Sequence, residues 1–468
     1  MEQTVQTTTQ PAIPFAMIVV FIFAAFMWFL YQDQNHRLEK VNAQRKPTVG
    51  CLVTLGVITL IKILISPYFK GYQVDMNTYT AWMERAAGGL NGFYADGYFC
   101  DYPPLYIMMT GFFGWVKNLL GGGEYLTKLF VKMPGMIAEG LIGYEILRAY
   151  SKRYPVQKQL PMTLLLAIFP SFLITGTYWG QTDGIFCYLM LLTFRFLLEE
   201  KLTLSALMFT LSALTKPQSF LFAPLVAILF AKSDSLVLIP KLKDKFPKVL
   251  KVLWNLVITF VCALVIMSIA MMPFRNGVPD LMFLVKKYTE TFSSYPYASL
   301  NTFNLFGLLN GNMRNLTENF FFLTFEKWGT ILMAVCVLGG ILAVIFNKDK
   351  KNLFLIFGTY LFAIVMLGSK MHERYWYFVP LLMLLTFVFT GKKKYFGISC
   401  LLSLTYFLNL DYALWYLSGV HNSVTDNFYN MIFVIGSLVN LAVLWYLVWD
   451  VCTVIGADYS NKISPKGE

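Results

Sequence analysis

The segment "SKMHERYWYF" sets Lys370, His372, Glu373 and Arg374 within five residues, followed by the aromatic row Tyr375, Trp376 and Tyr377. An arginine fork and a lysine point charge suit a phosphate or a similar oxyanion. A neighbouring carboxylate, Glu373, can hold one of those side chains in position. The competing reading is a solvated end of an apolar run, which leaves Glu373 and the aromatic row unexplained.

Four other clusters could do chemistry. Asp75, in "YQVDMNTYTAWMERA", precedes Tyr79, Trp82 and Met83 at helical spacing. It reads either as a helix N-cap or as a general base at a membrane surface. Asp101 and Tyr102, in "YFCDYPPLYIMM", stand before a double proline that fixes the approach to a helix; a turn with a capping aspartate is the plain alternative. "YWGQTDG" offers Trp179, Gln181 and Asp183, a ring and polar groups suited to a sugar, or equally an interfacial tryptophan with a polar turn. "TKPQS" joins two apolar runs through Lys216 and Gln218. A lysine so placed is costly unless it is paired or holds an anion, or it snorkels to the interface.

The elements that must position these groups are membrane spans. Of the 468 residues 57% are hydrophobic and only 14% charged, with a mean hydropathy of +0.57. A soluble chain carries about a quarter charged residues. Spans are expected near residues 14–31, 49–66, 126–147, 161–179, 183–198, 203–215, 218–231, 249–271, 328–346, 353–369, 375–390, 395–410 and 428–450. The opening residues lack the positive region of a secretory signal, so the run after them reads as a retained first span. The net charge of +12 gathers in short connectors, "HRLEKVNAQRK", "RAYSKRYPVQK", "PKLKDKFPK", "NKDKK" and "GKKK". All five fall on one side, the cytoplasm by the positive-inside rule, provided that Pro103–Leu120 does not cross. That stretch is expected to be a re-entrant or interfacial helix. The N-terminus is then outside and the C-terminus inside.

The outer face collects two large loops, 67–125 and 272–327, together with every cluster above. Nucleic acid is not implied, because the basic residues follow the span pattern. The seven cysteines show no paired zinc-ligand spacing, "GGGEYLTK" lacks the spacing of a phosphate loop, and no internal repeat is evident.

Taken in order, an aspartate in the first outer loop, "DYPPL", "LFVKMPGMIAEGLIGY", "GQTD", "TKPQSFLFAP" and "MHERY" resemble the membrane-embedded GT-C glycosyltransferases. The likeness is greatest to the lipid-linked-oligosaccharide glucosyltransferases and bacterial proteins similar to the GPI-anchor mannosyltransferases, and it covers about Tyr72 to Pro380. It implies an all-α polytopic GT-C-type bundle of about 13 transmembrane helices with an outer layer of interfacial helices. It implies a polyprenyl-phosphate sugar as donor and a glycan or lipid-linked hydroxyl as acceptor, with inversion at the anomeric carbon. Asp75 matches the family's catalytic position. Arg374, His372, Lys216 and Lys370 would bind the donor phosphate in place of a metal or other cofactor, and Asp101, Tyr102, Trp179, Gln181, Asp183, Gln218 and Glu373 would place sugars or their neighbours. Asp75 is followed by Met76 rather than a second acid, and "GQTD" replaces a histidine- and phenylalanine-rich segment of the eukaryotic enzymes, so sugar and acceptor stay open. The lack of an outer cysteine pair points to a bacterial plasma membrane with an outward active site, the endoplasmic reticulum being the alternative. A flippase or transporter of polyprenyl-linked glycans, and a polymerase using diphosphate-linked donors, are the rival functions.

Overall fold

The computed structural model describes residues 21, 46–95, 97–419 and 423–463. Apart from Phe21, the expected span 14–31 lies outside the described residues, as does most of the first basic connector. The chain is 77% helical. Among the described residues seven helices are long and apolar enough to cross a membrane, and the protein is an all-α integral membrane protein.

Helix α1 (Val49–Ile65) starts at Thr48, whose hydroxyl accepts the Cys51 N–H. Helices α2 (Gln73–Gly88) and α3 (Pro104–Leu119) follow in the first large loop. The stretch expected to be a non-crossing helix is therefore helical, with Pro104 in its first turn, where a missing N–H costs nothing. Helix α2 buries Tyr79, Trp82 and Met83, the face read from their spacing. Gly111 and Gly114 let α3 lie directly on α2, since a Cβ at either would meet Ala86 or Met83 within 3 Å. Phe112 and Trp115 remain exposed on the far side of α3. Cys100, in a segment that reads as polar, is buried, its thiol directed at the Tyr102 carbonyl.

Helix α4 (Glu124–Ser151) carries Lys132 and Glu139 into the interior. The span expected over 161–179 is among the seven, as Val156–Trp179, but its winding is interrupted. Helix α5 (Gln159–Ala167) stops before Pro170, a one-turn helix follows, and Leu173–Trp179 is wound as a wide π-type turn. Pro170 has no N–H to continue the ladder, and Gly176 packs against the Glu139 carboxylate with no room for a Cβ. Gly180 ends the turn at φ +90°, and a side chain there would strike Met76 and Lys132.

Then come α6 (Asp183–Leu198), α7 (Leu202–Ala213), α8 (Ala223–Lys232), α9 (Lys248–Met271) and α10 (Leu281–Ser293). The last are α11 (Phe325–Phe346), α12 (Leu353–Leu367), α13 (Phe378–Thr390), α14 (Lys393–Ser418) and α15 (Ser423–Ile463). Helices α9 and α11 leave many aliphatic side chains exposed, as lipid-facing helices do. Helix α12 is the opposite: every residue from Leu353 to Met366 is buried. Helix α13 is buried almost throughout. Apolar on all sides, both occupy the centre of the bundle, and the connection between them is the His-Glu-Arg segment.

The second large loop is ordered around that connection. Ser299–Leu300 pairs in parallel with Met371–His372, and the Glu373 N–H donates to the Leu300 carbonyl at 3.2 Å. Asn409 of α14 clamps both sides. Its Oδ1 accepts from the Phe303 N–H and the Trp376 indole, and its Nδ2 donates to the Asn301 carbonyl at 2.6 Å.

Candidate active site

Asp75 lies in the first turn of α2 but does not cap it; Tyr72 is the N-cap. The cap reading fails because the carboxylate points to another element. Its Oδ2 accepts from the Trp179 indole at 2.9 Å and from the Gln181 amide. Among the described residues no donor reaches Oδ1, which is left to accept a proton. The Gln181 amide is itself oriented, because the Tyr79 hydroxyl donates to its Oε1 at 2.8 Å. Tyr79 meets the Tyr102 hydroxyl at 3.3 Å, and Thr182 donates to the same oxygen. The π-type turn and the Gly180 that ends it are what bring Trp179 and Gln181, two positions apart in the chain, to the same carboxylate.

These contacts correct the roles expected for the "GQTD" segment. Trp179 is 0% exposed, so no sugar can stack on it. Gln181 is buried and committed to Asp75. Asp183 is 0% exposed and takes the Lys216 ammonium at 2.6 Å. Lys216 therefore spends its charge on a buried pair, over the Tyr102 ring, rather than waiting for a phosphate. It does not snorkel either.

His372 and Glu373 are buried and Lys370 and Arg374 half-buried, so the charged segment is not a solvated span end. Arg374 Nη1 lies 3.2 Å from Glu373 Oε1, and its buried Nε has no hydrogen-bond partner among the described residues. Burial works against the guanidinium, but Glu373 and Asp75 outweigh it and hold the group firmly charged. Glu373 is pushed up to about 7 by burial, with Arg374 opposing. Burial and the Arg374 charge push the His372 imidazole well below its ordinary range. Of the groups expected to be cationic or potentially cationic it is the neutral one at pH 7, because it sits inside the bundle between the Tyr295 and Tyr375 rings. Asp101 is raised by burial, with Arg374 opposing. Asp75, Asp101, Glu373 and Arg374 thus share one electrostatic neighbourhood.

A groove of about 690 Å³ opens beside it. Glu326, Thr330, Met333, Val337 and Ile341 of α11 line one wall, a single helical face of about 22 Å at 1.5 Å per residue. The polar end holds Gln218, Tyr295, Lys370 and His372; the other end is aliphatic. The volume is that of a small-molecule site. Tyr295 and His372 join groove to charges, both lying within electrostatic reach of Arg374. Lys370, held at φ +62°, and Gln218 therefore belong to the groove mouth rather than to the Asp75 pocket.

Lys132 is a positioning residue that sequence reading passes over. It is 1% exposed, and its Nζ donates to the carbonyls of Ser66, Phe69, Thr177 and Tyr178 at 2.9–3.2 Å. It pins the turn that presents Trp179 to the end of α1. Its signal was a lysine within the apolar run "LFVKMPGMIAEGLIGY", on one helical face with Gly135 and Glu139 at i+3 and i+7.

No group of three or more histidine, cysteine or acidic side chains stands together among the described residues. A scan against protein-family models finds no match, and a comparison with curated proteins finds none either.

Proposed function

We propose that this protein is an inverting glycosyltransferase of the GT-C type, moving a hexose from a polyprenyl-phosphate sugar to a hydroxyl of a glycan or lipid-linked acceptor. The observation that carries the reading is the meeting of three features. A carboxylate with one oxygen free and a half-buried arginine with an unpartnered Nε lie within electrostatic reach of each other, and a groove of about 690 Å³ opens beside them.

The polyprenyl chain would lie along α11, with its phosphate at the polar mouth. Asp75 Oδ1 takes the proton of the acceptor hydroxyl as that oxygen attacks the anomeric carbon. The bond from that carbon to the phosphate oxygen breaks, and the phosphate leaves with the electron pair. Arg374 stabilises the charge that develops there. Glu373 orients Arg374, His372 and Lys370 flank the phosphate, and Asp101, Tyr102 and Gln218 face the sugars. Trp179, Gln181, Asp183 and Lys216 build the walls.

The reading includes a bundle of about thirteen spans, in which the seven long apolar helices are joined by shorter ones such as α7, α8 and α13. It also places the site on the outer face of a bacterial plasma membrane, supported by the basic connectors at the opposite helix ends.

A flippase is the rival that a specific observation favours, because Lys62, Lys132 and Glu139 are ionisable groups in the interior. The four carbonyl contacts of Lys132 mark it as a structural pin, which weakens that case.

The test is transfer by the purified chain in nanodiscs, offered a panel of radiolabelled polyprenyl-phosphate sugars. Labelled product, or slow hydrolysis without acceptor, is expected from wild type and not from Asp75→Asn. Lipid-linked glycan crossing vesicles with no covalent change would replace this reading with the flippase, and turnover only with diphosphate-linked donors would make it a polymerase.

A further inference from the structure

At the other end of the bundle a second cavity has the make-up of a phosphate site. It measures about 220 Å³ and lies where α4 and α6 end, beside the start of α12 and the end of α13. Each of these helices has its active-site end on the opposite face, so this cavity and Asp75 are separated by the length of the bundle.

Four cations line it, Arg148, Lys152, Arg153 and Arg195, against two carboxylates, Glu145 and Glu199. The carboxylates are already shared. Glu145 takes both Arg148 and Arg195 at 2.9 Å, and Glu199 takes Arg195 at 3.1 Å and Lys201 at 2.7 Å. Arg153 lies flat over the Phe389 ring at 3.9 Å, and its Nη1 donates to the Ala149 carbonyl. Lys152 is exposed, outside this lattice of pairs, and its amine is held below the usual lysine range by partial burial and by the repulsion of Arg148. The positive field therefore exceeds what the two glutamates neutralise. The remaining wall is apolar, with Leu191, Phe354, Leu385 and Phe389. Helix C-termini attract cations by themselves, which accounts for basic residues at this face. It does not account for four of them around a cavity with an apolar wall.

We propose that this cavity binds the phosphate headgroup of an anionic membrane lipid whose acyl chains stay in the bilayer. Basic pockets between membrane helices take such headgroups, each surface cation adding about 1 kcal/mol, which is roughly fivefold in affinity. The site is independent of the reaction proposed above.

The experiment is native mass spectrometry of the full chain released from detergent, titrated with palmitoyl-oleoyl phosphatidylglycerol, the matching phosphatidylcholine, or inorganic phosphate. Phosphatidylglycerol should be retained at least tenfold more tightly than phosphatidylcholine. Lys152→Gln should lower that retention about fivefold, and the double variant Lys152→Gln/Arg153→Gln further. Lys245→Gln/Lys248→Gln, which removes two exposed cations elsewhere on the same face, should change it less than twofold. Displacement of the lipid by millimolar phosphate would uphold the anion site and assign it to a soluble phosphate. Equal retention of the two lipids, or an equal loss in both double variants, overturns the proposal. Lys152→Gln, which lies outside the ion pairs of the cavity, keeps the test readable should the double variant misfold.

Discussion

Replacing Asp75 by asparagine tests the assignment of the base with little disturbance to the fold. Both hydrogen bonds to Asp75 end on Oδ2, and an asparagine oxygen placed there can still accept from Trp179 and Gln181. Bonds to a charged acceptor are worth about 1.5–3 kcal/mol and neutral ones about 1, so the fold should lose about 1–2 kcal/mol and no cavity is created. What vanishes is the free oxygen: the amide nitrogen that replaces Oδ1 is a donor and cannot take a proton. Loss of a placed base costs about 10²–10⁴-fold, or roughly 3–5 kcal/mol of barrier. Arg374 also loses one of the carboxylates that hold it charged, but Glu373 remains, so donor affinity should change by less than about threefold. The assay is single-turnover transfer at saturating donor, with binding measured separately by equilibrium retention of labelled donor. Near wild-type turnover in a variant that binds donor normally would refute the assignment, and Asp101 would become the next candidate.

Arg374→Lys keeps the charge but loses the fork and should lower kcat/KM for donor about tenfold or more, with Arg374→Ala lower still; unchanged donor kinetics in both would remove Arg374 from the phosphate site. Val337→Trp, midway along the groove wall of α11, should raise the donor KM several-fold for long-chain donors and leave short-chain analogues unaffected, which competition between two chain lengths measures. Glu373, held near 7, gives donor binding a pH dependence. An arriving anion favours its protonated form, so affinity should fall as pH rises from about 6 to 8, and Glu373→Gln should flatten that profile; an unchanged slope would show that Glu373 does not titrate there. The same group binds a proton in the folded protein that the unfolded chain has lost between the ordinary carboxylate range and about 7, so its contribution to stability falls as pH rises through that window.

That the chain is a helical membrane protein was legible, because long apolar runs bounded by basic connectors leave little choice of element. The break inside 161–179 was not, since hydropathy cannot see a proline and a glycine acting together with a partner carboxylate on α4. The face of Tyr79, Trp82 and Met83 could be read from its period of helical spacing. The direction of Asp75 could not. Whether an aspartate near a helix start caps that helix or turns to Trp179, 104 residues away, depends on the π-type turn, which no local pattern announces. For the same reason Lys216 and Asp183 read as two site residues, whereas each is the other's partner.

The burial of the His-Glu-Arg segment follows from what it connects, and it changes the chemistry the segment can do. Helices α12 and α13 are buried along almost their whole length, so the link between them is held largely inside the bundle and its charges are answered from within. Arg374 is answered by Glu373 and Asp75 together, yet its Nε is left open toward the pocket. Glu373, raised to about 7, is the carboxylate that can yield. On taking a proton it releases Arg374 to an incoming anion, and a neutral His372 beside them adds no repulsion. A solvated glutamate in its place would stay ionised at neutral pH and would hold Arg374 against it. Burial is therefore what lets the segment yield its arginine.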